Sequence, residues 1–229
     1  MSAQAHHQPF LTLDSVSAGY HASDPVITDL SLDIRRPGIT LVEGGNGVGK
    51  STLVEVISGY LPVLSGSVTV CGLNASSPRA SQVRRICRTE PALYPAMTAR
   101  DHLVFAARWA GADPVAGVIR AENYGMGQWL ETEAGSLSTG NRRKLWLILC
   151  TLGDFSLVML DEPFNGLDGD GTALLLEELT AWSGSRSVLV VAHRPPDGLP
   201  RSHRVALRPG VPPVQAGVPA PGPWPGTGG

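Results

Sequence analysis

The run Gly44-Gly45-Asn46-Gly47-Val48-Gly49-Lys50-Ser51-Thr52 has residue types and spacing that suit phosphate chemistry. It fits the pattern G-x-x-x-x-G-K-[ST], and it lies between a short apolar run at 39–42 and a segment that favours helix. Glycines at this spacing let backbone N–H groups point inward around an anion, and a helix that begins near Lys50 adds unpaired N–H groups. Lys50 would neutralise the β- and γ-phosphates, and the Ser51 hydroxyl would ligate magnesium. The pattern therefore predicts a loop that binds a phosphorylated ligand.

Two adjacent carboxylates, Asp161 and Glu162, follow the apolar run Leu157–Leu160 about 110 residues after Lys50. A buried strand that ends at the ligand-binding edge of an α/β sheet would place both beside the phosphate loop. Asp161 is expected to hold magnesium, directly or through water, and Glu162 to orient or deprotonate an attacking water. Together the two motifs predict hydrolysis of a phosphate bond.

Hydrophobic patterning and turn residues indicate the elements that must position these groups. The predicted strands are Phe10–Val16, Leu30–Ile34, Ile39–Val42, Ser67–Val70, Leu157–Leu160 and Ser187–Ala192. The predicted helices are Lys50–Ser58, Ser138–Leu152 and Thr172–Trp182, and the stretch from Thr98 to about Leu130 favours helix. Strands and helices alternate in the second half of the chain, which predicts an α/β sheet with right-handed crossovers.

The composition narrows the class of protein. A length of 229 residues is typical of one domain, with or without subdomains. The 18 Lys and Arg against 20 Asp and Glu leave a formal charge of −2, which argues against a nucleic-acid partner. Hydrophobic residues make up 42% of the chain, enough for a packed core, and no apolar run approaches the ~20 residues of a membrane span.

The two ends and the cysteines carry further expectations. Residues 1–9 lack the basic start and apolar run of a secretory signal, and we expect them to be flexible. Residues 209–229 hold seven Pro and six Gly, which disfavours a helix or a central strand and predicts an extended, mostly disordered tail. Cys71, Cys87 and Cys150 are odd in number and widely separated, so we expect reduced thiols and a cytosolic location.

Further positions make the chain similar to the nucleotide-binding subunits of ATP-binding cassette (ABC) transporters over about residues 10–208. The run Leu137-Ser138-Thr139-Gly140-Asn141 resembles the Leu-Ser-Gly-Gly-Gln signature of that family. Asn165-Gly166-Leu167-Asp168 resembles the segment that follows the family's two carboxylates. Tyr20 stands where the family stacks an aromatic ring on adenine, and His193 matches its γ-phosphate histidine.

This resemblance implies a P-loop NTPase fold of ABC type: an α/β fold with a mostly parallel core sheet, an N-terminal antiparallel β subdomain and a helical subdomain at about 91–136. It also implies ATP and Mg²⁺ as cofactors and two subunits that close around two Mg-ATP. The residues implied to contact nucleotide are Tyr20, Gly44, Gly45, Asn46, Gly47, Val48, Gly49, Lys50, Ser51, Thr52, Ser138, Gly140 and Asp168. The residues implied for catalysis are Glu162, His193 and Lys50, and those implied at the metal are Ser51, Asp161 and Thr89.

The chain departs from the family pattern at several positions. Thr139 and Asn141 replace the glycine and glutamine of the signature, and Thr89 occupies the place of a glutamine that touches magnesium. These changes bear on the hydrolysis rate and on the coupling of hydrolysis to the membrane partner more than on ATP binding. The basic run Arg142-Arg143-Lys144 lies in the first turns of a predicted helix, where positive charge is unfavourable. It is either attracted to phosphate or an acidic partner, or forms a solvated basic face.

Three functions fit these observations. The first is an ATP-hydrolysing motor subunit that pairs with a second ABC subunit and drives separate transmembrane permease subunits, with export favoured. It would then lie in the cytoplasm, on the inner face of the cell membrane. The second is a soluble ABC ATPase of an assembly machine, and the third is a slow, structural nucleotide-binding subunit of a heterodimer.

Overall fold

The computed structural model describes residues 8–208 and 211–217. Near the N-terminus, four strands form an antiparallel sheet in the order β2-β1-β4-β5. These strands are β1 (Leu11–Ala18), β2 (Ile27–Ile34), β4 (Ser65–Val70) and β5 (Leu73–Asn74). In β1 the buried positions shift from Leu11 and Leu13 to Val16 and Ala18. The shift occurs because the pairing with β2 is irregular after Leu13, where Ser15 has a φ of 49°.

A second sheet of six strands forms the centre of the described chain, in the order β10-β9-β3-β8-β7-β6. Its strands are β3 (Gly38–Glu43), β6 (Arg84–Cys87), β7 (Leu157–Asp161), β8 (Ser187–Val191), β9 (His203–Arg208) and β10 (Val211–Gly217). The pairs between β9, β3, β8, β7 and β6 are all parallel. Every residue of β7 and β8 is buried, which explains their continuous apolar sequences.

Side chains that alternate along these strands divide the core into two clusters. Val158 and Leu160 of β7 belong to the cluster packed under most of the helices. Leu157 and Met159 face the opposite side, together with the helix after the phosphate loop and the N-terminal sheet. The helices are α1 (Lys50–Ile57), α2 (Pro78–Val83), α3 (Ala99–Trp109), α4 (Pro114–Asn123), α5 (Thr139–Cys150) and α6 (Gly169–Ser183). The described fold is thus the expected α/β arrangement of a mostly parallel sheet, an antiparallel sheet and helices, and α3, α4 and α5 pack on one another.

Several elements differ from the sequence predictions. The patterning does not predict α2, β6, β9 or β10, because these are short or rich in polar residues and proline. The tail predicted to be extended and mostly disordered over 209–229 contains an ordered edge strand at Val211–Gly217, which pairs antiparallel with β9. The paired positions skip from Val211 to Val214 and so avoid Pro212 and Pro213, which have no N–H to donate. The rest of that tail and residues 1–7 lie outside the described residues.

None of the helices in the described ranges is long and apolar enough to span a lipid bilayer.

Candidate functional site

The phosphate loop connects the end of β3 to the start of α1. Gly47 has a φ of 77° and Gly49, the N-cap of α1, a φ of 100°, and these left-handed conformations favour glycine. No side chain caps α1, whereas the other five α-helices of the described ranges are capped by Ser77, Thr98, Asp113, Ser138 and Asp168. The first N–H groups of α1 are therefore left for an anion, with the positive end of the helix dipole behind them.

Lys50 lies across the mouth of this loop. Its Nζ donates hydrogen bonds of 2.8 Å to the carbonyls of both Gly44 and Gly45. Gly44 approaches β9 so closely that a Cβ there would lie 2.9 Å from the carbonyl oxygen of Leu207. Val48 packs on the core cluster behind the loop. Gly44, Gly45 and Val48 therefore shape the loop from behind.

A cavity of about 320 Å³ opens at this edge of the sheet. It is lined by Val26, Asn46, Gly47, Gly49, Lys50, Ser51, Thr52, Thr89, Asp161 and Glu162. Three of the four chain segments that line the cavity meet here because β3, β8, β7 and β6 are parallel and their carboxyl ends share one edge; the fourth is Val26. Sequence reasoning missed Val26, an exposed apolar residue with no motif of its own.

The residues proposed for magnesium lie together in this cavity. Asp161 is 8% exposed, and its Oδ2 accepts a 2.8 Å hydrogen bond from Oγ1 of Thr89. The Ser51 hydroxyl lines the same cavity. Mg²⁺ is usually held by one or two carboxylates together with substrate phosphates and water, so this donor set fits the ion. Thr89 reaches the carboxylate of Asp161 directly and thereby orients it.

Glu162 is held in an unusual backbone conformation beside Asp161. Its φ of 48° lies in the left-handed region, which costs a non-glycine residue on the order of 1 kcal/mol or more. Its N–H donates to the carbonyl of Val191 at 2.8 Å, and its Oε1 accepts from the backbone N–H of His193 at 3.0 Å. The side chain of His193 is exposed and does not line the cavity, so within this chain its backbone orients the carboxylate of Glu162.

Seven of the residues implied to contact nucleotide lie outside the lining of this cavity: Gly44, Gly45 and Val48 of the phosphate loop, and Tyr20, Ser138, Gly140 and Asp168. Ser138 caps α5 by accepting from the N–H of Asn141 at 3.1 Å, a role that does not consume its hydroxyl proton. Asp168 caps α6 and forms a 2.6 Å ion pair with Lys144. The hydrogen bond from Lys144, with a second from the N–H of Gly171, lowers the pKa of Asp168. Tyr20 is 63% exposed.

The basic run at the start of α5 is not a solvated face. Arg143 and Lys144 are 4% and 7% exposed, and both point into the molecule. Lys144 pairs with Asp168, and the guanidinium of Arg143 donates to backbone carbonyls. Both alternatives considered from the sequence are therefore wrong for these two residues, because Lys144 and the two terminal nitrogens of Arg143 bond groups of this chain, and of their side-chain nitrogens only Nε of Arg143 is buried without a hydrogen-bond partner in the described structure.

A larger groove of about 600 Å³ runs along β6, the edge strand of the sheet, from the residues after α1 onto α3 and α5. Its aromatic residues are Tyr60, Tyr94, Phe105, Trp109 and Trp146. Tyr60 and Trp109 are 79% and 71% exposed. We call this surface the aromatic groove.

The chain matches a family model described as ABC transporter over residues 27–165. It is 30% identical to the cytochrome c biogenesis ATP-binding export protein CcmA of Chelativorans sp. over 182 residues, which are 80% of this chain and 90% of that protein. It is 29% identical over 214 residues to the taurine import ATP-binding protein TauB of Mesorhizobium japonicum, covering 88% of this chain and 81% of TauB. Human ATP-binding cassette sub-family A member 13 is 30% identical over 208 residues, or 87% of this chain, but the chain spans only 4% of that protein.

Solved structures show the same fold. The structure of an ATP-binding subunit of an ABC transporter has a TM-score of 0.83 and 24% identity, covering 91% of this chain and 90% of that one. A bacterial Atm1-family ABC exporter with ATP bound has a TM-score of 0.82 and 18% identity, covering 94% of this chain and 40% of that one. With the phosphate loop and the two carboxylates in one cavity, these matches show that the chain belongs to the ABC transporter family and carries its ATP-binding domain, an ATPase.

Proposed function

We propose that this protein is the motor subunit of an ABC transporter, in which hydrolysis of Mg-ATP drives separate transmembrane subunits. One observation carries the proposal: the uncapped start of α1, Lys50, Asp161 and Glu162 lie around one cavity. The triphosphate would take the position between the N–H groups of α1 and Lys50. Ser51 and Asp161 would hold Mg²⁺, which supplies positive charge to the β- and γ-phosphate oxygens.

The proposed chemistry assigns one step to each polar group. The Glu162 carboxylate orients a water and takes its proton as the water oxygen bonds to the γ-phosphorus. The bond from the γ-phosphorus to the bridging oxygen then breaks, leaving ADP and inorganic phosphate. Lys50 neutralises the charge that collects on the phosphate oxygens, and the N–H of His193 keeps Glu162 aimed at the water.

A second ABC subunit would complete each site. Ser138 and Gly140 lie at the capped start of α5, outside the lining of this chain's own cavity, which supports a role toward a nucleotide held by another subunit. The hydroxyl proton of Ser138 and the positive end of α5 suit a γ-phosphate presented there. Two subunits arranged head to tail would enclose two Mg-ATP.

The aromatic groove is the proposed docking surface for the transmembrane subunit. Tyr60, Phe105 and Trp109 are 79%, 60% and 71% exposed, an unusual clustering of aromatic side chains for a solvent-facing surface. An amphipathic helix of a partner would bury these rings. This docking would hold the chain at the cytoplasmic face of the membrane. An ABC ATPase of an assembly machine would instead stay in the soluble fraction.

We further propose that transport runs outward. CcmA, the relative matched over 90% of its length, is an export protein by name. The run of residues 161–168, Asp-Glu-Pro-Phe-Asn-Gly-Leu-Asp, also resembles exporters whose motor and membrane parts are separate chains. TauB, an import protein by name, is matched over 81% of its length. The polypeptide that co-purifies with this chain from detergent-solubilised membranes would identify the transporter and decide the direction.

A slow subunit of a heterodimer is the second candidate, and one observation favours it. Thr89, at the place of the family's glutamine, donates to Asp161. Its short side chain ends on that carboxylate, so Thr89 would act on a metal only through Asp161 and would not take the place of the glutamine as a direct ligand. Turnover of the purified chain alone and with candidate partners separates the two proposals, because a motor subunit that forms its own dimer hydrolyses ATP by itself.

The proposal is tested by Glu162→Gln, which keeps the shape of the side chain and removes the base. We expect ATP turnover to fall by about 100-fold or more, while ATP still binds and holds the variant as a dimer. Steady-state phosphate release and light scattering with and without Mg-ATP measure the two effects. Glu177→Gln, at an exposed position of α6, is the matched control and should behave as the unmodified chain. Unchanged turnover in Glu162→Gln would exclude Glu162 as the base.

A further inference from the structure

The most heavily bonded buried side chain near the cavity is Arg143 of α5. It is 4% exposed, and its guanidinium donates to four backbone carbonyls. Nη1 bonds the carbonyls of Arg88, at 2.8 Å, and Thr89. Nη2 bonds those of Asp161 and Glu162, each at 2.8 Å. A planar fork with several fixed donors can hold four acceptors at once, which a lysine ammonium cannot do in the same geometry.

These four carbonyls belong to the two segments that carry the hydrolytic groups. Arg88 and Thr89 directly follow β6, while Asp161 ends β7 and Glu162 follows it. Because β6 and β7 are neighbouring parallel strands, both segments leave the sheet at the same edge. The guanidinium of Arg143 fixes the gap between them, and the 2.8 Å bond from Thr89 to Asp161 spans the same gap on the cavity side.

Glu162 depends on such support because its backbone is strained. A φ of 48° persists only where surrounding contacts hold the residue in place. Val191 holds its N–H, the N–H of His193 holds its carboxylate, and Arg143 holds its carbonyl. Without the last contact, the peptide after Glu162 can rotate toward a relaxed conformation, which re-aims the carboxylate.

The same arginine connects this turn to the aromatic groove. Nε1 of Trp146, a groove residue on α5, donates to the carbonyl of Arg88 at 3.0 Å. That carbonyl is also bonded by Arg143. A ligand that moves Trp146 or the segment after β6 therefore shifts one end of the Arg143 fork, whose other end holds Glu162.

We propose that Arg143 is a positioning residue that holds Glu162 for hydrolysis and links its orientation to occupancy of the aromatic groove. The inference rests on the proposed role of Glu162 as the base. Arg143 touches neither nucleotide nor water in this arrangement and acts only through the backbone that it bonds.

The first test is Arg143→Lys, which keeps the charge and loses the fork. We expect kcat for ATP to fall by about 10- to 100-fold, while KM and the dissociation constant of a fluorescent ATP analogue change less than about 3-fold. Arg120→Lys is the matched control, because the guanidinium of Arg120 is also largely buried and bonds Glu178 and Thr151, and Arg120 lines neither the cavity nor the aromatic groove. It should lower the melting temperature to a similar degree and leave kcat within about 2-fold. Equal kcat losses in both variants would overturn the proposal.

A double-mutant cycle separates positioning from general damage to the fold. In the Glu162→Gln background the base is already gone, so Arg143→Lys should reduce the residual turnover little further. A loss as large as in the unmodified chain would overturn the inference. If Arg143→Lys does not fold, Arg143→Gln, which buries no charge, takes its place in the same cycle. If Arg143→Lys keeps normal turnover while Glu162→Gln loses it, only this inference is overturned. If Glu162→Gln keeps normal turnover, the assignment of Glu162 as the base is overturned as well.

Discussion

At the scale of single residues, the length of a side chain decides what it can do in the cavity. Thr89 stands where the family resemblance implies a glutamine that touches magnesium. In the structure, Oγ1 of Thr89 donates to Oδ2 of Asp161 at 2.8 Å. A hydroxyl that holds a metal-binding carboxylate restricts its rotation and raises the affinity of the site. We therefore propose that Thr89 acts on the metal through Asp161.

Replacing Thr89 by valine removes this hydroxyl with almost no change in shape. We expect Thr89→Val to raise the Mg²⁺ concentration for half-maximal ATPase activity by about 10-fold, because Asp161 loses its orienting donor. Titration of activity with Mg²⁺ at saturating ATP measures the shift. Thr69→Val, on β4 and away from the cavity, is the control and should leave the titration unchanged. An unaltered Mg²⁺ requirement in Thr89→Val would show that the hydroxyl does not serve the metal site.

At the scale of elements, the start and the end of α1 have different partners. Its start is uncapped and faces the cavity, which suits phosphate binding. Near its end, Glu55 forms two hydrogen bonds of 2.7 and 2.8 Å with the guanidinium of Arg88. Arg88 follows β6, so the pair ties the phosphate-loop helix to the segment that carries Thr89. These bonds from Arg88 lower the pKa of Glu55.

This ion pair predicts a pH-dependent difference in stability. Glu55→Gln should lower the free energy of unfolding by about 1 kcal/mol at pH 7, because a charged, two-bond pair becomes a neutral one. The pKa of Glu55 in the folded chain lies below the ordinary value of about 4.3. The unmodified chain therefore has its extra free energy of unfolding at pH values above about 4.3, and it loses this stability as the pH falls through the lowered pKa.

Urea unfolding of both chains between pH 7 and pH 2 measures this difference. Glu131→Gln is the control, because it removes an exposed ion pair with Arg100 and should have a smaller effect at pH 7. A Glu55→Gln difference that stays constant down to pH 2 would contradict the assignment.

At the scale of the whole molecule, the cavity proposed for hydrolysis and the groove proposed for docking are separate surfaces of one fold. The cavity lies at the carboxyl edge of the core sheet, while the aromatic groove runs between the end of α1, β6, α3 and α5. The helical layer is joined to the core by Arg120 of α4, which forms hydrogen bonds of 2.6 and 2.7 Å with Glu178 of α6. Tyr124 donates to the same carboxylate, and its burial raises the pKa of the phenol.

Docking in the aromatic groove can be tested by adding a charge to it. Trp109→Glu should reduce the fraction of the chain that sediments with host-cell membranes by about 10-fold, because a carboxylate opposes burial of the groove. Val115→Glu is the matched control: Val115 is 59% exposed on α4 and does not line the groove. Sedimentation followed by detergent extraction measures both. Equal membrane association of the two variants would contradict docking at this surface.

Local sequence patterns were sufficient to predict most residues that line the cavity and several elements of the core. Glycine spacing, Lys50 and the acidic pair after an apolar strand predicted which residues line one site, because each motif is short and depends only on local geometry. The same local patterns located β3, β7, β8 and α5 to within a few residues. They failed for β6, which contains two arginines, and for β10, whose prolines are tolerated only at a sheet edge.

Only the tertiary structure shows which residues that are distant in the sequence form hydrogen bonds with one another at the site. The order β3-β8-β7-β6 places Thr89 against Asp161 and leaves the strained turn of Glu162 within reach of His193 and Arg143. The burial and the hydrogen bonds of the basic residues in α5 depend on which backbone carbonyls α5 contacts when it packs on β6. No local sequence pattern contains that information. The sequence by itself predicted which groups would gather for phosphate binding and hydrolysis, whereas the packing of parallel strands and α5 determined what holds those groups in place.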